Sequence, residues 1–304
     1  MKFTQGLILV TFLFVAFKSY SYPVKENSKE RERNISLKLT YKFSIKGHID
    51  SLTFVMVIPQ NIDKRQVINE TSFSEDPFKT YKEGNNTYAL FKFYDVKESF
   101  KIVVKQKITI YQSIDTAAGK ILDSAFSQYL LPEPYIESSS PEIIKVAETL
   151  KQKTDIETIM KTYDYVKEHI VYKVNKAVGA EGVLESGEGK CMDFSVLFIA
   201  LLRANKIPAK YVHGMTVDYN ETPFHAWSEA FLKKQGWVQF DPTSGQSAIR
   251  LEGKNYVMSI KNKYVTFSEG RNNIGTYYYR FRWRSSSKGQ VTFKHSYEIS
   301  ESSR

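Results

Sequence analysis

The chain is poor in cysteine. Among its 304 residues there is one, Cys191, which excludes an intrachain disulfide and any cage of several thiolates around a metal. The five histidines are scattered and lack the spacings that gather a metal ion, so no metal is expected. No glycine-rich phosphate loop or dinucleotide fingerprint occurs, and no cofactor is expected either. No apolar run reaches the length of about 20 residues that crosses a bilayer. Internal repeats and nucleic-acid-reading motifs are also missing, so nucleic acid is not expected as a partner.

What the chain does have is aromatic and basic. It carries 20 Tyr and 20 Phe, which suits a β-rich protein. The formal net charge is +10 and the isoelectric point is near 9.3. Such a balance fits affinity for anionic envelope polymers or lipid head groups. The N-terminus has the layout of an export signal: Lys2, a short apolar run from Gly6 to Phe17, then Ser19-Tyr20-Ser21 at the positions a signal peptidase reads. Residues 1–21 are therefore expected to be a signal peptide cleaved after Ser21, placing the protein in the periplasm, the envelope or the medium. Residues 22–34 read as a charged, flexible leader.

Residues 35–112 alternate apolar with polar, as in Leu37, Leu39, Tyr41 and Phe43, and predict an N-terminal antiparallel β domain of the sandwich type. Residues 113–250 are expected to form an α+β core. Ser140-Pro141 opens one helix, and Thr154-Asp155-Ile156-Glu157 is a capping box before a second. A third helix from Cys191 to about Ala204 is apolar nearly all round, which predicts a buried central helix. Strands are expected at 211–217, 226–232 and 237–240. Residues 251–304 read as a C-terminal β extension with strands at 256–267, 277–284 and 290–299. In the second of these, Arg280, Arg282 and Arg284 alternate with Tyr279, Phe281 and Trp283, giving one aromatic face and one basic face. That basic face reads as either an anion-binding stripe or a solvated edge.

The lone thiol sits in Gly187-Glu188-Gly189-Lys190-Cys191-Met192-Asp193, at a predicted helix start. Downstream come Phe224-His225-Ala226-Trp227 and Phe240-Asp241-Pro242-Thr243. Thiol, imidazole and carboxylate thus follow one another in the order Cys191, His225, Asp241. Unpaired N–H groups and the helix dipole favour a thiolate at a helix N-terminus. An imidazole can hold the displaced proton, and a carboxylate can orient the imidazole. Taken singly, each residue has a blander role: a small buried hydrophobe, a satisfied core histidine, a turn residue before proline.

Four segments carry a resemblance. Gly-Lys-Cys-Met-Asp-Phe-Ser (189 to 195), Leu-Leu-Arg-Ala-Asn-Lys-Ile-Pro-Ala-Lys-Tyr-Val (201 to 212), His-Ala-Trp-Ser-Glu-Ala-Phe (225 to 231) and Gly-Trp-Val-Gln-Phe-Asp-Pro-Thr (236 to 243) resemble the transglutaminase-like superfamily over roughly residues 140–245. That group has a papain-like core and includes transglutaminases, bacterial cysteine proteases and peptide N-glycanases. The resemblance implies Cys191, His225 and Asp241 as a catalytic triad. It is specific for fold and triad but not for substrate. One departure stands out: a Leu-Gly pair is frequent before Ile-Pro, and here Asn205-Lys206 stands instead. The expected activity is acyl transfer from a peptide or glutamine-type amide through a thioester on Cys191, hydrolytic as peptidase or deamidase, with transamidation to an amine as the variant outcome. The alternative is a non-enzymatic envelope-binding or scaffold protein that uses the β domain and the basic surface.

Overall fold

Period-two alternation builds the first half of the molecule. In β1 (Glu32–Lys46), Leu37, Leu39, Tyr41 and Phe43 are buried on one side, and Ser36, Lys42 and Ser44 are exposed on the other. The computed structural model describes residues 32–62, 65–111, 126–174, 179–217, 224–233, 236–243, 263–270 and 278–301. The expected signal peptide and nearly all of the charged leader lie outside the described residues.

Strands β2 (Ile49–Ile58), β5 (Asn86–Val96) and β6 (Phe100–Tyr111) follow the apolar pattern. Two further strands, β3 (Gln66–Phe73) and β4 (Lys79–Glu83), were not expected. The last two strands of the chain, β13 (Tyr279–Arg284) and β14 (Gln290–Glu301), complete two antiparallel four-stranded sheets. Their orders are β14-β1-β6-β3 and β13-β2-β5-β4. The inner faces meet through aromatic side chains: Phe43 of the first sheet packs 5.3 Å from Phe54 of the second and 5.0 Å from Phe293. The apolar core of this sandwich runs on into the second unit through Met215, Val265 and Phe267.

The second unit is a sheet backed by helices. Strands β9 (Ala209–Thr216), β10 (Phe224–Leu232), β11 (Gly236–Phe240) and β12 (Tyr264–Glu269) form an antiparallel sheet in the order β11-β10-β9-β12. Residues 256–262 of the strand expected before β12 lie outside the described residues. Helices α1 (Pro141–Leu150), α2 (Asp155–His169), α3 (Gly179–Ser186) and α4 (Cys191–Ala204) pack together with it, and the two-residue strands β7 (Val171–Tyr172) and β8 (Glu188–Gly189) pair in parallel beside them. The capping box is formed: Glu157 N–H donates to Thr154 Oγ1, and Thr154 N–H to the Glu157 carboxylate. Every residue of α4 from Met192 to Arg203 is buried, as expected of a helix that is apolar nearly all round. Among the described residues no helix is long and apolar enough to cross a membrane.

The C-terminal β segment is shared between the two units, β12 in the helix-backed sheet and the last two strands in the sandwich. At the joint, β12 is an edge strand whose outer backbone is met by side chains. Gln66 Nε2 donates to Thr266 O at 3.0 Å and its Oε1 accepts from Thr266 N–H at 2.8 Å. Asn86 makes the same pair of bonds to Glu269, at 2.9 and 2.8 Å. Two carboxamides thus stand in for a fifth strand, which keeps buried backbone groups satisfied.

Candidate active site

The site is assembled where α4 begins against the start of β10. Cys191 is the first residue of α4, so its N–H has no carbonyl a turn behind it within the helix. That end is fixed by Asp193, whose carboxylate accepts from Lys190 N–H at 2.9 Å. A Cβ at position 189 would fall 2.5 Å from Asp193 Cβ, so glycine is required there for the carboxylate to reach back. Gly187 has φ +63°, a conformation that favours glycine.

His225 is the second residue of β10 and lies beside Gly214 of β9. Asp241 is the residue immediately after β11. The fold brings the three predicted residues together. His225 Nε2 lies 2.8 Å from Asp241 Oδ2, which leaves Nδ1 for the thiol, and Cys191 Sγ is within hydrogen-bonding reach of His225 and of Ala226 N–H. Cys191 is half-buried and free.

The electrostatics favour charge separation. Burial alone would push the Cys191 thiol up, but the hydrogen bond with His225, the imidazolium charge and the Ala226 N–H bring it below its ordinary value. Burial would likewise keep the imidazole neutral. The charge and hydrogen bond of Asp241, with the contribution of the thiolate, instead raise His225 to about 10. Both shifts favour a thiolate beside an imidazolium.

A fourth residue completes the cluster. Tyr264, the first residue of β12, donates its hydroxyl to Asp241 Oδ2 at 2.6 Å, the same oxygen that meets His225. Its ring lies 4.5 Å from Trp227 and nearly parallel to the imidazole at 6.1 Å. Tyr163 on α2 donates to the Asp241 backbone carbonyl at 3.3 Å. Neither tyrosine belongs to the expected site. Among 20 tyrosines nothing local distinguishes them, and only the pairing of β12 with β9 brings Tyr264 to the carboxylate. His169, the last residue of α2, bonds Leu184 O at 2.8 Å and stacks on Tyr165.

A helix-backed antiparallel sheet with a thiol, imidazole and carboxylate in this arrangement defines a papain-like thiol site. Residues 144–242 match the model of the transglutaminase-like superfamily, and the chain carries a transglutaminase-like core. Two proteins illustrate the likeness. The uncharacterized protein YebA of Bacillus subtilis (strain 168) is 35% identical over 77 residues, 21% of this chain and 10% of its own length. The chain thus spans about a tenth of that curated relative. The crystal structure of a candidate cysteine protease from Cytophaga hutchinsonii superposes with a TM-score of 0.66 at 19% identity, covering 90% of this chain and 92% of the other. That similarity extends the shared fold over both units.

Proposed function

We propose that the protein is an exported thiol acyl-transfer enzyme whose nucleophile is Cys191. The observation that carries this reading is the gathering of Cys191, His225 and Asp241 at the start of a buried helix, with His225 Nε2 2.8 Å from Asp241 Oδ2. The thiolate attacks the carbonyl carbon of a peptide or glutamine-type amide. The oxyanion forms near the Cys191 N–H. The C–N bond breaks as the His225 imidazolium gives its proton to the leaving nitrogen, and a thioester remains. A water molecule then attacks the thioester carbon and passes a proton to His225, and the carboxylic acid leaves as the thiolate returns. Asp241 holds the imidazole through Nε2 throughout.

Hydrolysis is favoured over transamidation because water is the simpler and far more concentrated acceptor, and Val171, Tyr172 and Val174 in the neighbouring segment are exposed at 60%, 50% and 79%. Export is supported by the pattern of residues 2–21 alone. The test is turnover of peptide and glutamine substrates with and without added amine. Cys191→Ala is expected to lose activity by orders of magnitude while retaining the fold. Turnover surviving in that variant would sink the assignment, and amine incorporation outpacing acid release would reverse the choice of acceptor.

A further inference from the structure

Register in the first sheet aligns lysines that are far apart in sequence. Lys42 of β1 stands directly opposite Lys294 of β14 on one side and Lys101 of β6 on the other. All three are exposed, and among the described residues none forms an ion pair. Side chains so placed lie about 5 Å apart at Cβ, and like charges in that position destabilise a sheet. Lys38 faces Lys105 four residues along, Lys107 faces Ser36 beyond that, and Lys46 follows at the other end. The acids on this face are Glu298, bonded to Lys38 at 2.7 Å, Glu70, bonded to Lys107 at 2.7 Å, and Glu32 at the start of β1. The face is therefore strongly basic, and its densest row costs stability in the isolated protein.

We propose that the outer face of the sheet β14-β1-β6-β3 docks on an anionic phospholipid surface. Its charges spread three strands abreast and along about ten residues of β1, roughly 33 Å at the usual strand rise. They cover an area, as lipid phosphates do, and not the single line that one polymer chain would match. The cations are lysines, compact point charges suited to a diffuse anionic layer, and not forked arginines poised for one phosphate. Between them stand Ser36, Ser44 and Ser296. Among the described strand residues the one aromatic side chain in this alternation, Tyr111, stands at the far end opposite Glu32, so the face lacks the row of rings on which single-stranded nucleic acid stacks. Contact would be electrostatic and reversible. The inference is independent of the proposed chemistry at Cys191. It also differs from the arginine stripe expected from sequence: Arg280, Arg282 and Arg284 are exposed on β13, an edge strand of the other sheet.

The experiment is co-sedimentation of the full chain with vesicles of equimolar phosphatidylglycerol and phosphatidylcholine, and with pure phosphatidylcholine vesicles, which report whatever the apolar N-terminal run contributes. Each lysine near such a surface is worth about 1 kcal/mol, roughly five-fold in partitioning. The combined replacement Lys42→Gln, Lys101→Gln and Lys294→Gln is expected to weaken binding to the anionic vesicles about 100-fold. The same replacement of Arg280, Arg282 and Arg284 should change it several-fold at most. The lysine variant should melt no lower than the parent at low salt, since a like-charge contact is removed. Equal binding to both vesicle types would overturn the proposal, as would equal losses in the two variants. So would displacement from vesicles by soluble polyphosphate at matched phosphate, which would make the partner a linear polyanion. If the lysine variant fails to fold, the salt series decides: binding of the parent must fall steeply as the Debye length shrinks below about 10 Å, and salt-independent binding would end the proposal.

Discussion

At the scale of single residues, the cluster makes two opposed predictions about pH. In the proposed mechanism the active pair is thiolate and imidazolium, so activity should be lost on the acid side as Cys191 takes a proton and on the alkaline side as His225 gives one up. Because His225 is raised to about 10, the alkaline limb should lie near that value and not near the 6.5 of a free imidazole. Asp241→Asn removes the charge that raises it. The limb should move down in pH and turnover should fall on the order of 100-fold or more. Tyr264→Phe acts in the other direction. It withdraws a donor from Asp241 Oδ2, leaving more of the carboxylate's charge for the imidazole. The limb should move up, with a loss of about ten-fold from poorer orientation. A pH–rate profile for each variant separates the two. An unmoved limb in Tyr264→Phe would leave that tyrosine as packing alone. Cys191, His225 and Asp241 were readable from sequence because a lone thiol, a His-Ala-Trp and a Phe-Asp-Pro are distinctive in order. Tyr264 was not, because its role arises from strand pairing and not from its neighbours in the chain.

At the scale of elements, the turn after α4 explains what the Asn205-Lys206 pair does. Lys206 N–H bonds Arg203 O at 2.9 Å and Ile207 N–H bonds Leu202 O at 3.0 Å. This is the pair of bonds that closes a helix with a left-handed residue. That residue is Lys206, with φ 64°, where glycine would sit without strain. Asn205 anchors the turn by donating to Ala147 O at 2.7 Å. Lys206→Gly should therefore stabilise the protein by about 0.5–1 kcal/mol, the relief of strain being partly offset by the greater freedom of glycine in the unfolded chain. Chemical denaturation measures it, and a loss would mean that the lysine makes contacts outweighing its backbone cost. The buried elements were legible for the same reason that they are stable. Helix α4 and strand β1 show their full apolar pattern. Strand β3 hides because only Gln66 of its eight residues is buried, and α3 hides because it is eight residues long with Gly179 and Gly182 in its first turn.

At the scale of the whole molecule, the sequence predicted β structure at both ends of the chain but not that the two ends share one sandwich. Local alternation identifies a strand and its buried face, and carries no information about which strand lies next to it. The pairing of β1 with β14, residues 35–46 against 290–301, is of this kind, and so is the ionic joint between the two units. Glu229 of β10 is 1% exposed in its side chain and is bonded by Arg65, from the sandwich unit, and by Lys210, at 3.2 Å. Lys210 also reaches Glu269 at 2.5 Å. Burial would push the Glu229 carboxyl up, but the two cations hold it well below the usual range. Replacing it by Gln leaves Arg65 and Lys210 without that charge at a buried joint, and should cost about 3–5 kcal/mol at neutral pH. The sign of the pH dependence follows from the depressed value. Stability from Glu229 is present above the ordinary glutamate value of 4.5 and is lost as pH falls from there toward about 2. Urea midpoints of the parent and of Glu229→Gln should thus differ widely at neutral pH and converge through that acid window. A gap that persisted unchanged below it would show that the carboxamide fails on shape and not on charge.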